Sequence, residues 1–116
     1  MLTRQNEQFK MERICGVSWH GAKKKKQIEV GKDVDVLFSK KQREIILHIG
    51  NSKYYSKLPN SFFTSSKHLR TAYDEQTYNG TNHLHEWVVN NNVERVKLEV
   101  IRENKEFRLS KYERHT

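Results

Sequence analysis

The side chains most able to do chemistry in this sequence are clustered lysines. Four are consecutive, Lys23–Lys26, and a second group, Lys40, Lys41 and Arg43, follows further along the chain. Adjacent ammonium groups repel one another unless water or an anion faces them. If both groups form loops at one end of a sheet, we expect them to bind nucleic-acid phosphates without reading the base sequence. A solvated basic loop is the alternative interpretation.

Aromatic residues lie among these cations. Trp19 and His20 precede the lysine run, and Tyr55 lies two positions after Lys53. In an alternating strand, Lys53 and Tyr55 share one face, where a cation and an aromatic ring suit backbone contact and base stacking. The alternative is a sheet packed on both faces, with Tyr55 under another element. The predicted nucleic-acid contacts are Lys23, Lys24, Lys25, Lys26, Lys40, Lys41, Arg43, Lys53 and Tyr55.

Metal chemistry is not predicted, although the sequence contains six histidines. Only His83 and His85 are close together, and residues two apart on a helix point to different sides, so they do not form a ligand pair. No cofactor is predicted either. The single cysteine, Cys15, is interpreted as a small buried apolar side chain.

Catalytic residues are not predicted, because the sequence has no phosphate-cradling glycine loop and no Gly-x-Ser-x-Gly motif. A metal-independent ribonuclease needs only His, Arg, Lys and Tyr for acid–base and phosphate work. His48, His68, Arg70 and Tyr73 are the candidates for that chemistry, which is the third hypothesis for the function.

The elements that must position these residues begin with strands. Arg13–His20 is predicted as the first strand, and the alternation of Val34, Val36 and Phe38 predicts a second over Ile28–Phe38. Residues 1–12 lack clear periodicity and are predicted to be frayed or a short helix.

A hairpin over Glu44–Leu58, turning at Gly50-Asn51 in type II′ geometry, is the best-defined prediction. In the matching register Leu47 faces Tyr54, Ile45 faces Ser56, and the apolar residues share one face. Pro59 ends the ladder because it has no N–H to donate.

A first short helix is predicted after Pro59, with Asn60 or Ser61 as its cap. Its apolar positions are Phe62, Leu69 and Tyr73.

A second short helix is predicted with Thr81 or Asn82 as its cap. Leu84, Trp87 and Val88 form its apolar stripe, which places Trp87 in the core. The triplet 90–92, all asparagine, ends this helix. A C-terminal hairpin follows, with Val96, Leu98 and Val100 on one strand and Phe107 and Leu109 on the other.

Together these elements predict an α+β fold with an antiparallel, curled sheet or partial barrel. It has about six strands, and two short helices are inserted between strands four and five. The chain of 116 residues is predicted to be a single domain over residues 1–116, since half of it would be too small to bury an adequate core.

The overall charge favours a polyanion as partner. The net charge is +8, and residues 1–60 contain thirteen Lys or Arg and six Asp or Glu, against nine and eight in residues 61–116. No stretch approaches the roughly 18 apolar residues of a membrane span. Residues 1–13 are polar, without the apolar centre of a signal peptide. A cytoplasmic location and no membrane partner are therefore predicted.

The passage Leu58-Pro59-Asn60-Ser61-Phe62-Phe63, with a closing hairpin, resembles the B3-like DNA-binding pseudobarrels of plant regulators and restriction-enzyme effector domains. The predicted helices, and the lack of that family's Gly-Asp turn before a late strand, depart from its pattern. The resemblance implies DNA binding and transfers no site residue.

The leading hypothesis is a small, non-catalytic nucleic-acid-binding protein, with DNA slightly favoured over RNA. The alternative is a protein-interaction module, an inhibitor or adaptor of phage or mobile-element origin, that uses the same basic patch to bind an acidic protein.

Overall fold

The computed structural model describes residues 11–21, 25–31, 34–65 and 67–113. Seven strands are present in this part of the chain. They are β1 (Glu12–His20), β2 (Lys25–Glu29), β3 (Glu44–Ile49), β4 (Ser52–Lys57), β5 (His68–Leu69), β6 (Arg95–Arg102) and β7 (Glu106–Lys111). The α-helices are α1 (Val34–Leu37) and α2 (His83–Asn90), and a 3₁₀ helix covers Asn60–Phe63.

All seven strands belong to one curled sheet in the order β4-β3-β7-β6-β1-β2-β5. The prediction of an α+β curled sheet is confirmed, but the sheet has seven strands and is mixed. The predicted insertion of two short helices between strands four and five is wrong, because α1 precedes β3 and α2 follows β5. The C-terminal hairpin β6–β7 is inserted between the two earlier hairpins. It pairs antiparallel with β1 and parallel with β3. The parallel pair arises because β7 fills the free edge of β3, a long-range choice that the alternation within each strand does not specify.

The β3–β4 hairpin forms in the predicted register. Ile45 is opposite Ser56, Leu47 opposite Tyr54 and Ile49 opposite Ser52. Gly50 has a φ of 64° and Asn51 is not among the residues with positive φ, as a type II′ turn requires. The strand β4 ends at Lys57, before Pro59, as predicted.

The second predicted strand is wrong beyond Glu29. The chain turns at Gly31, whose φ is 75°, and then forms the helix α1. Val34, Leu37 and Phe38 are buried at helical spacing, whereas Val36 is 64% exposed. The alternation of Val34, Val36 and Phe38 therefore predicted a strand, whereas the structure forms a short helix that buries Val34, Leu37 and Phe38.

The first predicted helix is also wrong, apart from the 3₁₀ turn that buries Phe62 and Phe63. Lys67 has a φ of 54°, and Leu69 then lies in β5, paired with Ile28 of β2. Further on, Tyr73 exchanges backbone hydrogen bonds with Tyr55 of β4, at 2.7 and 2.8 Å. The segment 68–73 thus adds β5 beside β2 at one lateral edge of the curled sheet and bridges to β4 at the other edge. It covers edge groups that would otherwise be unpaired.

The second predicted helix is confirmed as α2, with Asn82 as its cap and Asn92 left-handed at a φ of 50°. Leu84 and Val88 are buried, but Trp87 is only half-buried against the edge of the core. The prediction that Trp87 lies in the core holds only in part, because Trp87 packs against the core without being fully buried. The predicted C-terminal hairpin is also confirmed.

The core fills the concave side of the curled sheet. Its largest fully buried side chains include Phe62, Phe107, Ile28 and Leu84. Phe38 packs edge-on against Phe62, with ring centroids 5.0 Å apart. Cys15 is buried in the same cluster, as predicted.

Candidate functional site

The predicted basic groups lie at opposite ends of the sheet. The strands β1 and β3 run in the same direction, because β6 is antiparallel to β1 and to β7, and β7 is parallel to β3. Lys25 and Lys26 begin β2, just after β1 ends, whereas Lys40, Lys41 and Arg43 come before β3 begins. The expectation that both groups share one end is therefore corrected. Lys23 and Lys24 lie outside the described residues.

A cleft of about 500 Å³ opens at the end where β1 meets β2. One wall is the start of β2 together with His20. The other is the segment 70–73 and the loop that leads into α2. We call it the basic cleft; it is lined by His20, Lys25, Lys26, Gln27, Arg70, Thr71, Tyr73, Gly80, Thr81, Asn82 and Glu86.

Arg70 is held in this cleft by a chain of side-chain hydrogen bonds. Its Nε donates to Oε1 of Gln27 at 3.0 Å, and Nε2 of Gln27 donates to Oγ of Ser18 at 3.2 Å. Gln27 is 6% exposed, so its amide has a fixed orientation. Because Nε is engaged, the two terminal nitrogens of the guanidinium are the ones that a ligand can reach.

Asn82 joins the two elements of the second wall. Its Oδ1 accepts from the backbone nitrogens of Leu84 at 3.1 Å and Ala72 at 3.2 Å. Its Nδ2 donates to the Arg70 carbonyl at 2.8 Å. One side chain therefore caps α2 and fixes the backbone on both sides of Thr71, which places Arg70 relative to the helix.

The cleft is electropositive. Lys25, Lys26 and Arg70 face one lining carboxylate, Glu86, and within the described residues no ion pair joins any of these cations to an acidic group. Uncompensated cations around a concave surface focus a positive potential into it. The arrangement is suited to an anionic ligand.

Trp19 lies beside the cleft at the end of β1. It is opposite Lys26 in the β1–β2 ladder, and the Lys26 ammonium is 5.6 Å from the centroid of its ring. The indole is 52% exposed. The backbone N–H of Lys26 donates to Nδ1 of His85 at 3.0 Å, which ties this end of β2 to α2. An exposed aromatic ring next to a lysine ammonium is a feature of nucleic-acid contacts.

The other basic group surrounds a separate cavity of about 430 Å³, lined by Lys40, Lys41, Gln42, Arg43, Glu44 and Lys57. We call Lys40, Lys41, Arg43 and Lys57 the second basic cluster. Tyr78 lies next to it, with the Lys57 ammonium 5.8 Å from its ring centroid. Burial, with the charge of Glu44 and a hydrogen bond to it, raises the pKa of Tyr78. Glu44 is the one carboxylate in this lining, and the phenol of Tyr78 stays protonated and neutral.

Lys53 and Tyr55 share a face, as predicted, with the Lys53 ammonium 5.8 Å from the ring centroid of Tyr55. The same face is partly covered, because Ile46 is 7% exposed and Tyr55 is half-buried. This favours the alternative of two-sided packing for part of the surface. Neither Lys53 nor Tyr55 lines the basic cleft.

Glu106 forms a charged cluster nearby on β7. His48 Nε2 is 2.9 Å from Oε1 of Glu106, and Arg102 is 2.8 Å from Oε2. The hydrogen bond from His48, reinforced by the charge of Arg102, lowers the pKa of Glu106.

The four candidates for ribonuclease chemistry do not converge. Arg70 and Tyr73 line the basic cleft, but His48 and His68 do not. His48 contacts Glu106, and Nε2 of His68 lies 3.7 Å from Glu29.

The two neighbouring histidines of α2 also have separate partners. His83 binds Asp74 at 2.9 Å and stacks on Tyr54, while His85 accepts from Lys26. Among the residues that the structure describes, no group of three His, Cys, Asp or Glu side chains is placed to hold a metal ion.

Sequence reasoning missed most of the cleft. Gln27, Glu86 and the role of Arg70 beside Gln27 carry no local signal, because they come together only through pairing of distant segments. Lys25 and Lys26 were predicted contacts and do line the cleft, and the predicted cap position of Asn82 did not reveal its bond to Arg70.

No protein-family model matches the chain, and no significantly similar chain is found among the curated proteins or the solved structures. In the described part of the chain, none of the helices has the length and apolar character needed to cross a bilayer. Function is therefore argued from the geometry of the site.

Proposed function

We propose that this protein is a small, non-catalytic nucleic-acid-binding domain that contacts its ligand through the basic cleft. The observation that carries the proposal is the fixed guanidinium of Arg70. It is oriented by the buried Gln27 and lies in a cleft with Lys25 and Lys26.

Arginine is suited to this role because its planar fork can donate two parallel hydrogen bonds to a phosphate. Gln27 occupies Nε and leaves the edge formed by the two terminal nitrogens as the remaining pair of parallel donors. Less side-chain entropy is lost on binding when the fork is already oriented. The two lysines add positive charge and need no fixed geometry to attract a phosphate. The cleft therefore binds the phosphates of a nucleic acid whatever its base sequence.

Binding rather than cleavage is proposed because the two histidines of the ribonuclease hypothesis, His48 and His68, do not line the basic cleft. His48 is bonded to Glu106, and His68 lies beside Glu29. General acid–base catalysis of phosphodiester cleavage requires such a group within hydrogen-bond reach of the reacting oxygen.

The test compares two variants that remove equal charge from the two ends of the sheet. The cleft variant is Lys25→Glu with Arg70→Gln, and the control is Lys40→Glu with Lys41→Gln. Binding of a fluorescently labelled 20-nucleotide oligomer is measured by anisotropy at 50 to 200 mM salt. A hydrogen bond to a charged group is worth about 1.5–3 kcal/mol, so the cleft variant should lose about tenfold or more in affinity.

The control variant should lose about threefold or less, because it changes only the long-range field, which salt screens. Equal losses in the two variants would show a general charge effect and contradict the proposed site. The absence of binding by the wild type at 100 mM salt would contradict the function itself.

A further inference from the structure

We infer that the ligand of the basic cleft is single-stranded nucleic acid, with one unpaired base stacked on Trp19 and a neighbouring phosphate at Arg70. The inference rests on the proposed function and specifies its ligand. It is carried by the position and exposure of Trp19 and by the separation of the two basic groups.

Trp19 has the surroundings of a stacking platform. Half of its surface is open, at 52% exposure, although it lies on a paired strand. The Lys26 ammonium contacts the ring, with 5.6 Å to its centroid, which restrains the indole and adds positive charge beside it. The other tryptophan, Trp87, packs against the core. Stacking of a base on such a ring is sequence-tolerant, because every base has a π face.

The ladder of β1 and β2 connects this ring to the cleft. Lys26, opposite Trp19, is also part of the cleft lining, and the next pair along the ladder is His20 with Lys25. Trp19 and Lys26 are therefore paired positions of one hairpin, Lys25 is at the next position, and Arg70 lies on the other wall of the cleft. A strand that places a base on Trp19 can place its backbone in the cleft.

A duplex does not fit this arrangement. Its bases are already stacked on their neighbours, and opening a step to admit a ring costs free energy. A duplex binder also benefits from a continuous basic surface along the backbone. Here the second basic cluster is at the opposite end of the sheet, so the cations do not form one track.

The charge of the cleft predicts the salt dependence. If Lys25, Lys26 and Arg70 each neutralise one phosphate of a single strand, the slope of log K against log salt should be about −2. A slope near −6 would indicate a much larger electrostatic footprint than the cleft provides.

The experiment uses the intrinsic fluorescence of Trp19. Trp87→Phe leaves Trp19 as the only tryptophan, and the protein is titrated with 12-nucleotide oligo(dT), oligo(rU) and a 12-base-pair duplex. The single strands should quench Trp19 emission and bind at least tenfold more tightly than the duplex. Equal affinity for the two single strands indicates stacking and phosphate contacts alone, and a preference for oligo(rU) indicates an additional contact to the 2′-hydroxyl. Both results are consistent with the inference.

Substitutions of Trp19 in the otherwise unchanged chain complete the test. Trp19→Ala should weaken single-strand binding by about 5- to 150-fold, and Trp19→Phe should retain most of the affinity. Thermal unfolding of each variant is measured as well, and binding is compared at a temperature where all three proteins are folded, which separates lost stacking from lost folding.

Two results would overturn the inference while leaving the proposed function intact. One is a duplex affinity equal to that of the single strands. The other is an affinity of Trp19→Ala within twofold of the wild type, while the cleft variant still loses binding. If no oligomer binds at all, the proposed function fails together with the inference.

Discussion

Replacement of Asn82 tests whether one side chain holds the second wall of the basic cleft. In Asn82→Ala three hydrogen bonds are lost, those to the nitrogens of Leu84 and Ala72 and that to the carbonyl of Arg70. Loss of a helix cap costs about 1 kcal/mol. Each of the other two bonds contributes about 1 kcal/mol, so the free energy of unfolding should fall by about 3 kcal/mol.

Asn82→Asp is the informative comparison. A carboxylate retains both acceptor functions and still caps α2, but it cannot donate to the Arg70 carbonyl. The lost hydrogen bond should cost about 1 kcal/mol, and repulsion between the new carboxylate oxygen and the Arg70 carbonyl adds to this cost. Urea unfolding followed by circular dichroism gives the free energy of unfolding of each variant. In thermal unfolding, the midpoint of a domain of this size should fall by about 12 °C for the three bonds lost in Asn82→Ala and by about 4 °C for the one bond lost in Asn82→Asp.

Binding measurements on folded protein distinguish a displaced Arg70 from a simple loss of stability. Because Asn82 fixes the backbone at Arg70, affinity for the labelled oligomer should decrease in Asn82→Ala at temperatures where the variant remains folded. A stability of Asn82→Asp equal to that of the wild type would refute the assigned bond to Arg70. A loss below about 0.5 kcal/mol in Asn82→Ala would refute the role of this residue as cap and link.

Three further predictions concern stability elsewhere in the fold. Glu106→Gln should flatten the acid limb of the unfolding curve. The pKa of Glu106 is lowered in the folded state, so the stability that its carboxylate contributes is present above the unfolded pKa and is lost as pH falls through the folded pKa. Urea midpoints of Glu106→Gln that follow those of the wild type throughout pH 6 to pH 3 would be inconsistent with this. Gly50→Ala should cost about 1–2 kcal/mol, because Gly50 has a φ of 64° at the hairpin turn, and an unchanged thermal midpoint would count against the turn geometry. Phe62→Ala should cost about 3–5 kcal/mol and Trp87→Ala clearly less, because Phe62 is fully buried and Trp87 only half-buried; the reverse order in urea unfolding would contradict the packing.

Elements whose information is local follow directly from the sequence. The β3–β4 hairpin has its predicted register because a side-chain period of two and a Gly-Asn turn fix both strands over a few residues. The helix α2 was predictable from its cap, its apolar stripe and the terminal asparagines. Residues 34–38 were ambiguous because so short an apolar run fits a strand or a helical turn, and packing against Phe62 decides between them.

The sheet order and the site depend on long-range contacts that no local pattern contains. The insertion of β6–β7 between β1 and β3 sends the two basic groups to opposite ends, which charge composition cannot reveal. The contact between Gln27 and Arg70 joins residues 43 positions apart, and that between Lys26 and His85 joins residues 59 apart. Such contacts depend on which strand edges remain free to pair once the local hairpins have formed. No periodicity along the chain encodes that choice, since it is set by the burial of the whole core and the pairing of every edge.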